Sequence, residues 1–231
     1  MKIAIIVPMQ EEAEFYRKNF HSGKTEMFGS TAFEHFSVNG NDVYLGLSGI
    51  GKVNAAMNLA SLLSNVDIDL IFMTGSAGSM DPEVHKEELI LPSEFAYHDA
   101  HNTLAGDYVE GQIPQEPARY KLNSPERNAF KDYLDNLNVE YREGLVVTGD
   151  SFIASDVQKT PIKHNFADAL GVEMEGAAFA QVAKHFNKPL IAVRAISDNG
   201  DEDANDDFEA FVKKVGAKAA ELISNYVEKM N

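Results

Sequence analysis

The sequence predicts an α/β fold in which a mixed sheet is covered by helices on both faces. Three observations predict it. Apolar strand-like runs alternate with helical patterns along the 231 residues, which is the order that builds layered α/β folds. Several runs, such as Ile3 to Val7 and Leu190 to Ile196, are nearly continuous in β-branched and apolar residues, as strands buried on both faces are. Polar or glycine-rich segments follow those runs: Met9-Gln-Glu-Glu12, Gly75-Ser-Ala-Gly78, Gly149-Asp-Ser-Phe152 and Ser197-Asp198. Ligands in such folds gather at the carboxyl ends of strands. No internal repeat, low-complexity run or Pro/Ser-rich linker divides the chain, so residues 1–231 read as one domain.

The elements follow in order. Residues 2–7 read as a buried strand ended by Pro8, and Gln10 to Phe20 as a helix. Residues 31–38 and 42–48 flank Asn39-Gly40, a hairpin signal. Lys52 to Leu63 is a helix with Val53, Ala56, Leu59, Ala60 and Leu63 on one face. Asp69 to Thr74 reads as a strand ending in a small-residue loop over 75–79, and residues 85–120 as irregular with short strands. Helices are expected at Pro125–Leu137, Met174–Phe186 and Asp206–Lys229, and strands at Tyr141–Thr148 and Pro189–Ile196.

Composition narrows the classes of function. Hydrophobic residues make up 44% of the chain, enough for a sizeable core. The absence of cysteine excludes disulfides and thiolate metal sites. The run from Ile3 to Val7 is too short for a signal segment or a membrane span, so a cytoplasmic location is expected. A formal charge of −16 repels phosphate backbones and anionic membranes, which disfavours nucleic acid and membrane partners. The arginines are Arg17, Arg119, Arg127, Arg142 and Arg194.

Four motifs carry candidate chemistry. Gly46-Leu-Ser-Gly-Ile-Gly-Lys52-Val53 nearly matches a phosphate-binding P-loop, but Val53 stands where a Ser or Thr must hold Mg²⁺. Triphosphate hydrolysis is rejected on that ground. In Gly75-Ser76-Ala77-Gly78 the serine directly follows its glycine, which is not nucleophile-elbow spacing. A turn that lets backbone approach a ligand fits it as well as a plain tight turn. The acidic run from Asp198 to Glu209 fails calcium-loop spacing at its glycine and final glutamate positions. Beyond Asp198 it reads as a solvated loop and helix N-terminus. Asp198 itself is either a capping residue or a shielded acid whose desolvation would let it hold a proton near neutral pH. In Val172-Glu-Met-Glu175 an extended backbone would turn Glu173 and Glu175 toward one cleft and Met174 away, and helix N-terminal acid placement is the alternative. The seven histidines show no metal-ligand spacing; His98-Asp99 with His101 comes nearest to a cluster.

The order of these segments is more specific than any one of them. Met9-Gln-Glu-Glu12, Ser48-Gly-Ile-Gly-Lys-Val-Asn-Ala-Ala56, Thr74-Gly-Ser-Ala-Gly78, Tyr97-His-Asp99, Gly149-Asp-Ser-Phe-Ile153, Val172-Glu-Met-Glu175 and Arg194-Ala-Ile-Ser-Asp198 run in one chain. Together they closely resemble the 5′-methylthioadenosine/S-adenosylhomocysteine nucleosidases of the purine and uridine phosphorylase superfamily, over about residues 2–229. The resemblance implies a single-domain three-layer fold with a central mixed sheet, a distorted barrel and flanking helices, and a homodimer. It implies an adenine nucleoside as substrate and no metal or cofactor. Asp198 is similar to the family's general acid at adenine N7, and Glu12 to the base that orients water. Glu175 matches the ribose-hydroxyl acceptor, Met174 the residue under the sugar, and Phe152 the ring that stacks on adenine. Backbone at Ile153 would read the base edge. Ser76 and Arg194 match residues holding the acid and ribose region, and Ser197 one that orients Asp198. Met9, Ile50 and Phe208 are similar to residues lining the 5′-alkylthio pocket.

Phosphorylases of the superfamily bind phosphate with arginines from the N-terminal half. Here only Arg17 precedes Arg119, so water is the expected nucleophile. The chain departs from the family at Gln10, at Gly176-Ala177-Ala178, which looks more like the phosphorylase branch, and at Leu104 or Ala105, where relatives place a phenylalanine that reaches across the dimer. Hydrolases of aminofutalosine or 5′-deoxyadenosine, a phosphate-dependent phosphorylase and a catalytically silent nucleoside sensor are the competing readings.

Overall fold

The computed structural model describes residues 1–199 and 204–230, with backbone alone at 204–213 and 215. Ten strands and six helices follow in order: β1 (Lys2–Val7), α1 (Gln10–Asn19), β2 (Lys24–Phe28), β3 (Thr31–Val38), β4 (Asn41–Leu47), α2 (Lys52–Leu63), β5 (Leu70–Ser79), β6 (Leu89–Tyr97), β7 (Tyr120–Lys121), α3 (Pro125–Asn136), β8 (Arg142–Thr148), α4 (Asp156–Asn165), β9 (Ala169–Glu173), α5 (Gly176–His185), β10 (Leu190–Asp198) and α6 (Ala204–Lys229). The strands form one mixed sheet. β5, β10, β6, β8 and β9 close on themselves as a five-stranded barrel, because β9 and β10 both pair with β5. From β5 the sheet runs outward through β1, β4, β3 and β2.

The strands alternate between two cores. In β1, Ile3, Ile5 and Val7 pack with α1, α3 and α6 through Tyr16, Phe130 and Ile223. Ala4 and Ile6 face the opposite core, with Leu59 and Leu62 of α2 and Phe179 of α5. That two-residue period makes the three layers. A third cluster, with Val147, Val172, Ile162 and Phe166, seats α4 on the barrel.

Most expected elements are present, and the hairpin turn has the φ > 0 residues its sequence demands, Asn39 at 47° and Gly40 at 83°. The segment over 75–79 is not a loop. β5 continues through it to Ser79, because β10 supplies parallel pairing from Ile71 to Gly78. β10 likewise runs past Ile196 to Asp198. The stretch over 85–120 contains a nine-residue strand, β6, before its irregular part. β2, α4 and β9 were not expected, and α5 begins at Gly176 rather than Met174.

Candidate active site

The site lies where the sheet splits. On one edge of β5, β1 pairs with Leu70 to Met73, and β9 takes over only at Gly78 and Ser79. Residues 74–77 have no strand on that edge, so their backbone needs another partner. Glu12 supplies it. One carboxylate oxygen accepts from Ser76 N–H at 3.1 Å, and the other from Met9 N–H at 3.1 Å. Glu12 is thus both the third residue of α1, closing its N-terminus, and the tie between α1 and β5. α6 covers it closely: a Cβ at Gly216 would stand 3.2 Å from Glu12 Cγ. Burial pushes the Glu12 carboxyl up to about 7, against the pull of Arg194 and the two backbone donors.

β10 supplies Arg194 and Asp198. Arg194 is fully buried. Its Nη2 donates to Glu173 and, at 3.2 Å, to Glu175, and its Nη1 to Ser76 C=O at 3.3 Å. The glycines of β5 make room for these groups. A Cβ at Gly75 would lie 2.1 Å from Arg194 Nη1, and one at Gly78 would lie 2.8 Å from Asp198 Oδ1. The Gly-Ser-Ala-Gly segment therefore admits side chains from β10 rather than turning the chain. The register shifts between Ile196 and Asp198, placing Asp198 opposite Gly78; a bulge of this kind re-aims side chains. Ser197 Oγ donates to Asp198 Oδ2 at 2.7 Å, and both residues are buried.

β9 delivers the third acidic segment. Glu173 accepts from the N–H groups of Glu175 and Gly176 at the start of α5, from Thr148 Oγ1, and from Arg194. These bonds tie the start of α5 to β8 and β10. Glu175 instead bonds Gly51 N–H at 3.0 Å with its Oε1. Burial raises the Glu175 pKa while Arg194 opposes.

These groups surround a cavity of about 350 Å³. Met9, Ile50, Ser76, Phe152, Met174, Glu175, Arg194, Ser197 and Asp198 line it, together with Pro8, Ala77, Gly78, Val172 and Glu173. Met174 thus faces the cleft with its acidic neighbours, because the chain turns into α5 at that point instead of staying extended. Glu12 stands one residue behind the wall, bonded to Met9 and Ser76. Ile153 is buried and borders a smaller 30 Å³ recess shared with Phe152, Met174 and Asp198. The Phe208 side chain lies outside the described residues. A larger groove of about 590 Å³ between α3 and α5 contains none of the expected site residues.

The near P-loop has a different use. The N–H groups of Gly51 and Lys52, at the start of α2, are taken by carboxylates, Glu175 for the first and Asp150 at 2.8 Å for the second. A helix N-terminus that already holds two carboxylates has no place for a phosphate. Arg17 is paired with Glu34 at 2.6 Å, away from the cavity lining. Among the described residues no cluster of His, Asp and Glu suits a metal ion.

The family model for the phosphorylase superfamily matches residues 2–228. The chain belongs to that superfamily. Within it, the solved structures that resemble the chain include the 5′-methylthioadenosine/S-adenosylhomocysteine nucleosidase of S. pneumoniae with a transition-state inhibitor, at 32% identity, complete coverage of both chains (100% each) and a TM-score of 0.93. The S-adenosylhomocysteine nucleosidase of Streptococcus pyogenes matches at 34% identity over 100% of this chain and 98% of its own, with a TM-score of 0.93. A futalosine hydrolase mutant of Helicobacter pylori matches at 27% identity, 100% of both chains and a TM-score of 0.93. The superfamily's closed five-stranded barrel is thus a feature of this chain.

Proposed function

We propose that this chain hydrolyses the N-glycosidic bond of 5′-methylthioadenosine and S-adenosylhomocysteine, releasing adenine and the 5′-thioribose product. The observation that carries the reading is the set of acids on one cavity, Asp198 and Glu175 on its wall with Glu12 directly behind, beside an α2 N-terminus already filled by carboxylates. Cleavage of an N-glycoside builds positive charge on the ribose, which nearby carboxylates stabilise. Adenine leaves poorly as an anion, so Asp198, steadied by Ser197, protonates N7 as the bond breaks. Phe152 stacks on the base and Ile153 backbone reads its edge. Glu175 holds the ribose hydroxyls above Met174. Glu12, with each oxygen already bonded once, keeps further lone pairs to orient the attacking water. Met9 and Ile50 bound the 5′ substituent. The nucleosidases among the solved relatives support the substrate, and the futalosine hydrolase keeps a second nucleoside substrate in view.

We also propose that the protein works as a homodimer through the α2–α5 face. Val53 and Met57 are exposed there, beside a groove of about 500 Å³ lined by Val53, Ala56, Ala100, Ile113, Val182 and Phe186. The loop just before α2 carries Ile50 into the lining of the active cavity.

An adenine-release assay tests the chemistry. Wild type should release adenine at the same rate with and without phosphate. Asp198→Asn should lose at least about 10²-fold in kcat, the low end for a missing general acid. A strict phosphate requirement, or near-normal turnover by the variant, overturns the assignment.

A further inference from the structure

The Tyr97-His98-Asp99 segment is used by none of the steps above, yet it sits between the two loops that frame the cavity. Asp99 follows β6. Its Oδ2 accepts from Lys52 Nζ at 2.6 Å and from Asp150 N–H at 3.0 Å. Asp150 returns to α2: its Oδ1 accepts from Lys52 N–H at 2.8 Å, and its Oδ2 lies 3.5 Å from Lys52 Nζ. The three residues therefore close a ring between the first residue of α2 and the loop after β8. The ammonium of Lys52 also lies over the Tyr97 ring, 5.5 Å from its centre. Backbone around the ring is special on both sides. Gly51 has φ +97°, and a Cβ there would approach Asp150 Oδ1 to 3.1 Å. A Cβ at Gly149 would meet the His98 ring at 2.4 Å.

The ring's neighbours give it a role. Gly51, one residue before Lys52, holds Glu175 through its N–H. Phe152, two residues after Asp150, lines the cavity and is 41% exposed. We infer that Lys52 and Asp99 are positioning residues that lock the base-stacking loop over 149–153 to the α2 turn holding the ribose carboxylate, so that base and sugar are gripped in one fixed spacing. This rests on the nucleosidase reading for the identity of the ligand, and on geometry alone for the lock.

The neutral, isosteric Asp99→Asn keeps an acceptor for Asp150 N–H and removes the charge that holds Lys52. Base stacking on an aromatic ring is worth about 1–3 kcal/mol, roughly 5- to 150-fold in affinity, so loosening the loop should forfeit a good part of it. The expected result is a roughly 10-fold rise in KM and in the dissociation constant of free adenine, with kcat within about 3-fold of wild type and an unchanged melting temperature. Lys52→Met should give the same split, and the double variant should be no worse than either single one, as expected for two residues acting through one interaction. An adenine affinity equal to wild type, or a loss of kcat and melting temperature without a change in KM, overturns the inference. A readout independent of nucleoside chemistry separates this from failure of the nucleosidase reading. The chain has no tryptophan, so Phe152→Trp reports on the loop alone. Asp99→Asn in that background should widen the fast component of the indole's time-resolved anisotropy, and an unchanged anisotropy overturns the lock whatever the substrate proves to be.

Discussion

At the scale of single residues, the role proposed for Glu12 predicts a pH dependence. Burial raises its carboxyl to about 7 from 4.5, near the value that suits a base working at neutral pH. Orienting water requires the carboxylate, so kcat/KM should rise with pH along a limb centred near 7 and level above it. Glu175 is also raised by burial, and the two acids face the same guanidinium of Arg194 and repel one another. The limb therefore belongs to the pair rather than to one residue. Glu12→Gln removes one of the two charges, so the weak activity that remains should show its limb at lower pH, where Glu175 ionises without that neighbour. Rate profiles between about pH 5 and 9 check this, and a midpoint that stays where wild type has it removes Glu12 from the limb. Single residues were also where sequence was most informative about the site. The acids, Phe152, Ser197 and Arg194 were named from ordered motifs, and every one except Glu12 reaches the cavity wall. Glu173 was weighed only as one of a pair, because nothing local distinguishes a carboxylate that accepts from a helix start and Arg194 from one that faces a ligand.

At the scale of elements, the glycines of β5 hold the clearest lesson. Gly75-Ser-Ala-Gly78 reads locally as a turn, since glycine is unfavourable within strands. Pairing with β10 decides otherwise, and the absent Cβ atoms admit Arg194 and Asp198. Such a long-range partner leaves no local trace. α4 was hidden by Pro161 in its interior and by a largely polar sequence, and β2 by its short, mostly exposed run. By contrast β1 and β4 carry strong periodic patterns and were legible; α2 was legible as a helix, but its buried side is Ala55, Asn58, Leu59, Leu62 and Leu63 rather than the face with Val53, which is 77% exposed. The two glycines predict different failures. Gly75→Ala forces a Cβ onto a fully buried guanidinium, so it should cost about 1–3 kcal/mol, the usual penalty for overpacking, read as a fall of roughly 2–12 °C in melting temperature. Gly78→Ala meets the carboxylate end of Asp198 and, at 3.4 Å, Val172 Cγ1, so the acid is displaced from its bond with Ser197 while no buried guanidinium is struck. It should fold with nearly the wild-type melting temperature and lose at least about 10-fold in kcat, because a misplaced acid forfeits its catalytic share. Calorimetry and adenine release on the two variants separate these outcomes; equal effects on stability would remove the distinction.

At the scale of the whole molecule, the formal charge of −16 opposes association of two copies, so a dimer needs an apolar face large enough to overcome it. The α2–α5 face has that character. Val53 is 77% exposed, Met57 and Ile50 about half exposed, and Leu104 protrudes fully from the loop between Ala100 and Ile113. Exposed apolar groups gathered in this way mark interaction surfaces. Leu104 or the adjacent Ala105 is also the position where the nucleosidase family resemblance places a residue reaching toward the neighbouring site. The double variant Val53→Glu/Met57→Glu adds two like charges to each copy at the centre of the face. Light scattering after gel filtration should give twice the 25.4 kDa chain mass for wild type and the single chain mass for the variant. If the partner closes the 5′ end of the cavity, the monomer should show a higher KM for 5′-methylthioadenosine and little change in KM for adenosine, whose 5′ hydroxyl needs no apolar wall. A monomeric wild type removes the dimer. A dimeric wild type whose monomeric variant keeps its KM for both nucleosides leaves each subunit with a complete site of its own.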